Sequence, residues 1–270
     1  MTDTSTAPST ATPQPPILFE DLGDGIIQIR LNRPDRLNAM GVDMVREFHA
    51  AVQKAVALPA RVLLIRGSGR AFCAGADLKE RRGMDDAAKV AHNRAINAAV
   101  DAVDAAPMPT IAVLNGLALG GGCEIAVACD LRYGAEDISI GLTEARIGAI
   151  PGAGGTQRLP RVIGAAKALE LMLIGEPVNG KRAEDIGLLH AAVPGDQLDE
   201  HVLAIARVLA SRSPMGARTM KRLVHRGLEV PLTAGLTMER ASLPEIFSSA
   251  DYAEGLASFA ERRPAKFTGK

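Results

Sequence analysis

The sequence predicts an α/β fold built from recurring strand–strand–helix units, followed by an all-helical C-terminal region. Three observations carry this. Short apolar strand patterns alternate with amphipathic helical ones, and the units recur at roughly forty to fifty residues. From about Asp196 the strand signal stops and four helical segments follow. The core must be aliphatic, because the 270 residues hold no Trp, two Tyr and six Phe.

Residues 1–16, M-T-D-T-S-T-A-P-S-T-A-T-P-Q-P-P, are rich in Ser, Thr and Pro and read as a disordered tail. They carry neither an arginine-rich amphipathic pattern nor the apolar centre of a secretion signal. Residues 17–31 predict a hairpin turning at Gly23-Asp24-Gly25. Val42, Val45, Phe48, Val52 and Val56 recur at helical spacing and predict an amphipathic helix. A short buried strand is expected at 61–66, and an alanine-rich helix over 84–105, closed by A-P-M-P. A second buried strand follows at 110–114, then an apolar helix over 120–129, then short strands around 131–133 and 138–140. The late helices are expected at 196–212, 214–227, 231–248 and 250–263. The chain thus divides into a tail (1–16), an α/β core (17–195) and a helical lobe (196–270) with apolar faces suited to subunit contacts.

Lys+Arg and Asp+Glu balance at 31 each, so no net field draws the chain to nucleic acid or to an anionic membrane. Scarce aromatics argue against a base-stacking surface. Gly, Asp or Glu interrupts every apolar run short of the roughly 20 residues of a membrane span. Cys73, Cys123 and Cys129 form no C-x-x-C pair and no zinc-ligand spacing with the five histidines, so no metal site is expected. Small buried thiols in a reducing compartment are the simplest reading, and the cytoplasm the expected location.

Three segments carry chemistry. G-S-G-R-A-F-C-A-G-A-D-L-K-E (67–80) follows a buried strand, and its small residues let backbone amides approach a ligand closely. Its glycine spacing is not that of a dinucleotide-binding turn, and the chain contains no phosphate-binding G-x-x-x-x-G-K-[ST]. A-L-G-G-G-C-E (118–124) interrupts an apolar run where a helix begins. First-turn amides lack internal partners and lie at the positive end of the helix dipole, so glycines there can expose an anion or oxyanion site. Glu124 sits in that same turn between apolar flanks, which argues against a purely solvated role. In G-L-T-E-A-R-I-G-A-I-P-G-A-G-G-T-Q-R-L-P, Glu144 lies on a short helical turn before a Gly/Pro loop. Two such carboxylates could hold one water between them and exchange protons with a substrate.

Together these segments resemble the enoyl-CoA hydratase/isomerase family, the crotonase superfamily, from about Ile17 to Lys270. L-N-R-P-D-R-L-N-A-M (31–40) resembles the family's N-terminal signature, A-F-C-A-G-A-D-L-K-E its first amide loop, and N-G-L-A-L-G-G-G-C-E its second. I-P-G-A-G-G-T-Q-R-L-P-R is similar to the segment that closes the acyl pocket. The resemblance implies a spiral of ββα turns with a C-terminal trimerisation region, assembled as a trimer or as a hexamer of two trimers. It implies Ala76 and Gly121 as oxyanion amides and Glu124 and Glu144 as the acid/base pair. Retention of both glutamates implies hydration, since relatives that only isomerise commonly lack one of them. The implied substrate is an acyl-coenzyme A thioester, with coenzyme A part of the substrate and no separate cofactor. Ala76, Asp77, Leu78 and Lys79 would run along its pantetheine and adenine end, Gly121 would meet the thioester, and Phe259 and Arg262 would reach a neighbouring subunit's coenzyme A. Likeness extends to the methylglutaconyl-CoA hydratase branch, some members of which bind RNA through a lysine-bearing helix. Here that helix offers Lys89 and Arg94 against Asp85, Asp86, Asp101 and Asp104, so nucleic acid is not an expected partner. Cys123 reads as a packed residue behind the glycines, and His92 as a surface position on a helix beside the acyl pocket.

Overall fold

The computed structural model describes residues 14–270, so most of the expected tail lies outside the described residues. Its end, Gln14 to Pro16, is held by Asn32, whose amide donates to the Pro16 carbonyl (2.7 Å) and whose Nδ2 donates to that of Pro15 (3.0 Å).

Strands β1 (Ile17–Asp21) and β2 (Ile26–Leu31) form the expected antiparallel hairpin. Gly23 and Gly25 take φ of +84° and +76° in its turn, a region glycine enters without strain. Helix α1 (Val42–Ala57) then leads to β3 (Val62–Gly67), which pairs parallel to β2. Helix α1 buries Met44, Val45, Phe48, Ala51, Val52 and Ala55 against the core. Val56, which the spacing also assigns to that face, is 40% exposed because the helix ends beside it.

From β3 onward, each unit gives its first strand to one sheet and its second to another. The large sheet adds β5 (Thr110–Leu114), β7 (Leu131–Ala135) and β9 (Ala191–Val193), in the order β1-β2-β3-β5-β7-β9. The small sheet contains β4 (Ala71–Cys73), β6 (Leu117–Leu119) and β8 (Ile140–Gly141), all parallel, in the order β4-β6-β8. This is the ββα spiral in physical terms. Strands β4, β6 and β9 escaped the sequence pattern because each has only three residues, too few for a period of two to register.

The helices between strands are α2 (Leu78–Arg81), α3 (Asp86–Asp104) and α4 (Gly121–Ala128). After β8 come α5 (Gly155–Ile163), α6 (Ala165–Ile174) and α7 (Gly180–Asp185), which are not among the elements expected from the sequence. Helix α3 starts at Asp85, whose carboxylate accepts from the Ala88 amide (2.7 Å), and it buries His92, Ile96, Ala99, Val100 and Val103. His92 is therefore not a surface position: it is 5% exposed, one turn before Ile96 on the inward face.

The late helices are α8 (Leu198–Ala210), α9 (Pro214–Gly227), α10 (Leu232–Phe247) and α11 (Ala250–Glu261). Helix α9 is tied to the core by charge: Lys221 Nζ lies 2.7 Å from Asp130 Oδ2 and donates to the Met108 carbonyl at 3.2 Å. Its Met220, Val224 and Leu228, four residues apart, are 63%, 59% and 76% exposed, an apolar stripe the single chain leaves uncovered.

The segment L-N-R-P-D-R-L-N-A-M has a structural task. Asn38 is fully buried at φ +56°, donates from Nδ2 to the carbonyls of Ser68 (2.9 Å) and Ala71 (2.8 Å), and accepts from the Arg33 amide (2.8 Å). It thereby fastens this loop to β4. Asn38→Ala leaves those carbonyls without their donor, a cost of about 2–4 kcal/mol. The expected urea unfolding curve has a lower midpoint and an unchanged slope.

Candidate active site

Parallel strands β4, β6 and β8 lie side by side, roughly 5 Å apart, and all end on the same side. Each ends in one of the segments that the sequence marks as chemical. After β4 comes the loop to α2, after β6 the glycine triplet and α4, and after β8 a 3-10 turn, Glu144–Ile147. Residues seventy apart in sequence therefore emerge together.

The first loop is held by Met40, whose amide donates to the Gly75 carbonyl (2.8 Å) and whose carbonyl accepts from the Asp77 amide (3.1 Å). The Ala76 amide between them consequently points away from Met40's strand-like segment. A Cβ placed on Gly121 would lie 3.6 Å from Gly75 Cα and 3.8 Å from the Ala76 nitrogen, so the Ala76 and Gly121 backbones face each other. Gly121 is the first residue of α4, where the helix offers its amide no acceptor. Among the described residues neither amide donates a hydrogen bond.

The triplet has to be glycine at both flanks. Gly120 takes φ +49°, and a Cβ on it would sit 2.8 Å from Glu144 Oε1. A Cβ on Gly122 would collide with the Cys73 carbonyl oxygen of the neighbouring strand. Helix α4 can start this close to β4 only without side chains.

Glu124, in the first turn of α4, is 3% exposed. Its Oε1 accepts from the amides of Ala153 (2.6 Å) and Gly155 (2.8 Å), while Oε2 accepts from no group among the described residues. Burial pushes its carboxyl above the usual range; the two amides and Arg158 oppose that, and Glu144 adds to it. Burial also raises Glu144, whose Oε2 is enclosed without a partner. Both carboxyls are thus raised by burial and partly opposed by backbone hydrogen bonds, and each keeps one oxygen without a protein partner among the described residues.

Of the run Ala76–Lys79, Leu78 and Lys79 present exposed side chains. Asp77 does not: it is 5% exposed, caps α2 by accepting from the Lys79 (3.1 Å) and Glu80 (3.2 Å) amides, and pairs with Arg33 (3.4 Å). The Asp77 carboxylate is thereby engaged in the helix cap that sets the loop. Phe259, 87% exposed, and Arg262, at the αL cap of α11, lie on the outer surface, and the single chain does not bring them among the residues around the glutamates. Cys123 is fully buried, and burial raises its thiol far from any reactive state, as expected of a packed residue. A cavity of about 720 Å³, lined in part by Asn93, Ala149, Ile150, Pro151 and Thr156, opens beside the segment that holds Glu124. The service of Ala153 and Gly155 to Glu124 has no sequence signature, since the amides of a Gly/Pro loop leave no side-chain trace.

A family model described as enoyl-CoA hydratase/isomerase matches residues 21–270. The chain belongs to that family. It is 40% identical over 252 residues to the mouse "Enoyl-CoA hydratase domain-containing protein 2, mitochondrial", covering 91% of this chain and 85% of that one. It is 36% identical to rat "Methylglutaconyl-CoA hydratase, mitochondrial", covering 93% and 82% respectively. The crystal structure of an enoyl-CoA hydratase from Bacillus anthracis superposes with a TM-score of 0.93 at 37% identity, covering 94% of this chain and all of that one. The family fold is thus this chain's fold, and the small sheet with its three loops is part of it.

Proposed function

We propose that this member of the enoyl-CoA hydratase/isomerase family hydrates 2-enoyl-CoA thioesters. The observation that carries the reading is the convergence of two free backbone amides, Ala76 and Gly121, with a buried carboxylate, Glu124, and a half-buried one, Glu144, beyond one edge-to-edge set of strands. The amides hold the thioester oxygen and stabilise the negative charge it gains, an effect of about 2.7–4 kcal/mol per donor. Glu124, whose ionised form its amide pair stabilises against burial, takes a proton from water as the water oxygen bonds to C3. Electrons of the C2–C3 double bond move into the thioester, and Glu144 then delivers its proton to C2. One water is consumed, and the pair ends with its protons exchanged.

Coenzyme A enters as part of the substrate, and water and protein groups supply the rest. Leu78 and Lys79 are placed to follow the pantetheine and adenine portions. In an assembly, the Met220–Val224–Leu228 stripe supports a trimer, or a hexamer of two trimers, in which Phe259 and Arg262 reach a neighbour's coenzyme A. The three cysteines are buried free thiols, which supports a reducing compartment such as the cytoplasm.

Loss of the conjugated thioester's ultraviolet absorbance tests the reading. Across straight-chain and branched enoyl-CoA substrates, with crotonyl-CoA as reference, measurable kcat/KM for hydration is the expected result. Double-bond migration without hydration would overturn it. A preference confined to methylglutaconyl-CoA would narrow it to the activity named for the rat relative.

A further inference from the structure

The segment that grips Glu124 is itself gripped from its other side. Its amides at Ala153 and Gly155 point to Glu124 Oε1. Its carbonyls face helix α3. Asn93 Nδ2 (3.0 Å) and Asn97 Nδ2 (2.6 Å) both donate to the Gly152 carbonyl. Arg158 Nη1 donates to the Ala153 carbonyl (3.1 Å), while its Nη2 is held by Asp101 (2.7 Å) and Asp104 (3.2 Å). Asn93, Asn97, Asp101 and Asp104 are spaced four, four and three apart, so they form one stripe along α3. Alongside this stripe, α3 buries its apolar face in the core, which makes it a rigid base. The same peptide unit, Gly152–Ala153, therefore carries an α3 bond on its carbonyl and the Glu124 bond on its amide.

We propose that this stripe, acting directly and through Arg158, is a positioning device for Glu124: it fixes the 152–155 loop so that one carboxylate oxygen is pinned and the other is left for reaction. The inference rests on the reading of Glu124 as the group that activates water. Without the clamp the loop, which contains Gly152, Gly154 and Gly155, has the freedom to drift. Drift of about 1 Å at a reacting group costs on the order of 10²-fold in rate. Asn93, Asn97 and Arg158 are positioning residues, since they act through backbone and not on substrate.

Two variants test this on the full-length protein. Asn97→Ala removes a clamp bond without changing charge. Arg158→Lys keeps the charge but cannot bridge the Ala153 carbonyl to two aspartates in the same geometry. The charged groups acting on Glu124 are Glu144 and Arg158, and the Asn97 variant leaves both in place. Both variants are expected to lower kcat for crotonyl-CoA hydration by about 10- to 100-fold, with KM within about twofold of the parent. The acid limb of the kcat–pH profile is expected to move upward, because looser amides stabilise the Glu124 carboxylate less. Asn97→Asp, which keeps shape but replaces a donor with an acceptor, is expected to fail as a rescue, and Asn97→Gln to recover part of the rate. A lowered melting temperature with kcat and the acid limb unmoved would overturn the proposal and leave the stripe merely structural. Glu124→Gln serves as the control for the parent reading: if that variant keeps the wild-type rate, the role of Glu124 fails. If it loses the rate while the clamp variants keep theirs, only the clamp fails. Should Arg158→Lys not fold, the Asn97 series decides alone.

Discussion

Glu144→Gln is expected to reduce kcat for hydration by about 10²–10⁴-fold while changing KM little, the range for removing a positioned acid or base. The glutamine fills the same space against Gly120 but has no proton to give to C2. Glu124→Gln is expected to fall in the same range, for the opposite reason: its carboxamide oxygen can still accept from the Ala153 and Gly155 amides, but the side chain cannot take the proton of water. The double variant should lose little more than either single one, because the two groups act on one event. Wild-type kcat should follow a bell-shaped pH dependence. Rate falls on acidification as Glu124 is protonated, and on the alkaline side as Glu144 loses its proton. Burial places both limbs above the ordinary carboxylate range, and the apparent values belong to the pair. Stopped turnover of crotonyl-CoA by each purified variant is the measurement. A Glu144→Gln enzyme at the wild-type rate would sink the proposed mechanism.

Gly122→Ala is expected to damage both stability and turnover. The added methyl collides with the Cys73 carbonyl, which belongs to the backbone of β4 and cannot swing aside. Helix α4 must then shift away from β4, and with it the Gly121 amide from the Ala76 amide. Overpacking of this kind costs about 1–3 kcal/mol. Loss of one oxyanion donor costs about 10²–10³-fold in kcat. Both should appear together: a lower melting temperature, and a kcat defect that persists well below it. The contrast is Gly148→Ala, at a glycine with open space around it. The added methyl meets nothing there, so only the strain of its φ of +69° acts, and the kcat effect should be small.

Much of the site was legible because its parts are local. A glycine triplet opening an apolar helix, with a glutamate in the first turn, states its own geometry: amides exposed at the positive helix end and a carboxylate one turn on. Glu144 on a short turn before a Gly/Pro loop was equally local. Helix α1 followed from helical spacing, α3 from its alanine-rich length, the hairpin from its Gly-Asp-Gly turn, and β3 and β5 from short apolar runs.

Other features depend on which segments become neighbours, and no local pattern encodes that. That Asp77, within the run expected along the ligand, also caps α2 depends on where its backbone turns to meet two amides. His92 looked exposed until α3 was rotated against α1. The pairing of Glu124 with Ala153 and Gly155 joins backbone groups to a side chain some thirty residues away. By itself, then, the sequence determined the chemical groups, their local conformations and, through its motifs, their family. The tertiary structure alone decided that β4, β6 and β8 lie in that order. These strands are only two or three residues long, so their adjacency is imposed by the long strands of the other sheet, and that adjacency sets Ala76, Gly121 and Glu144 beside one another.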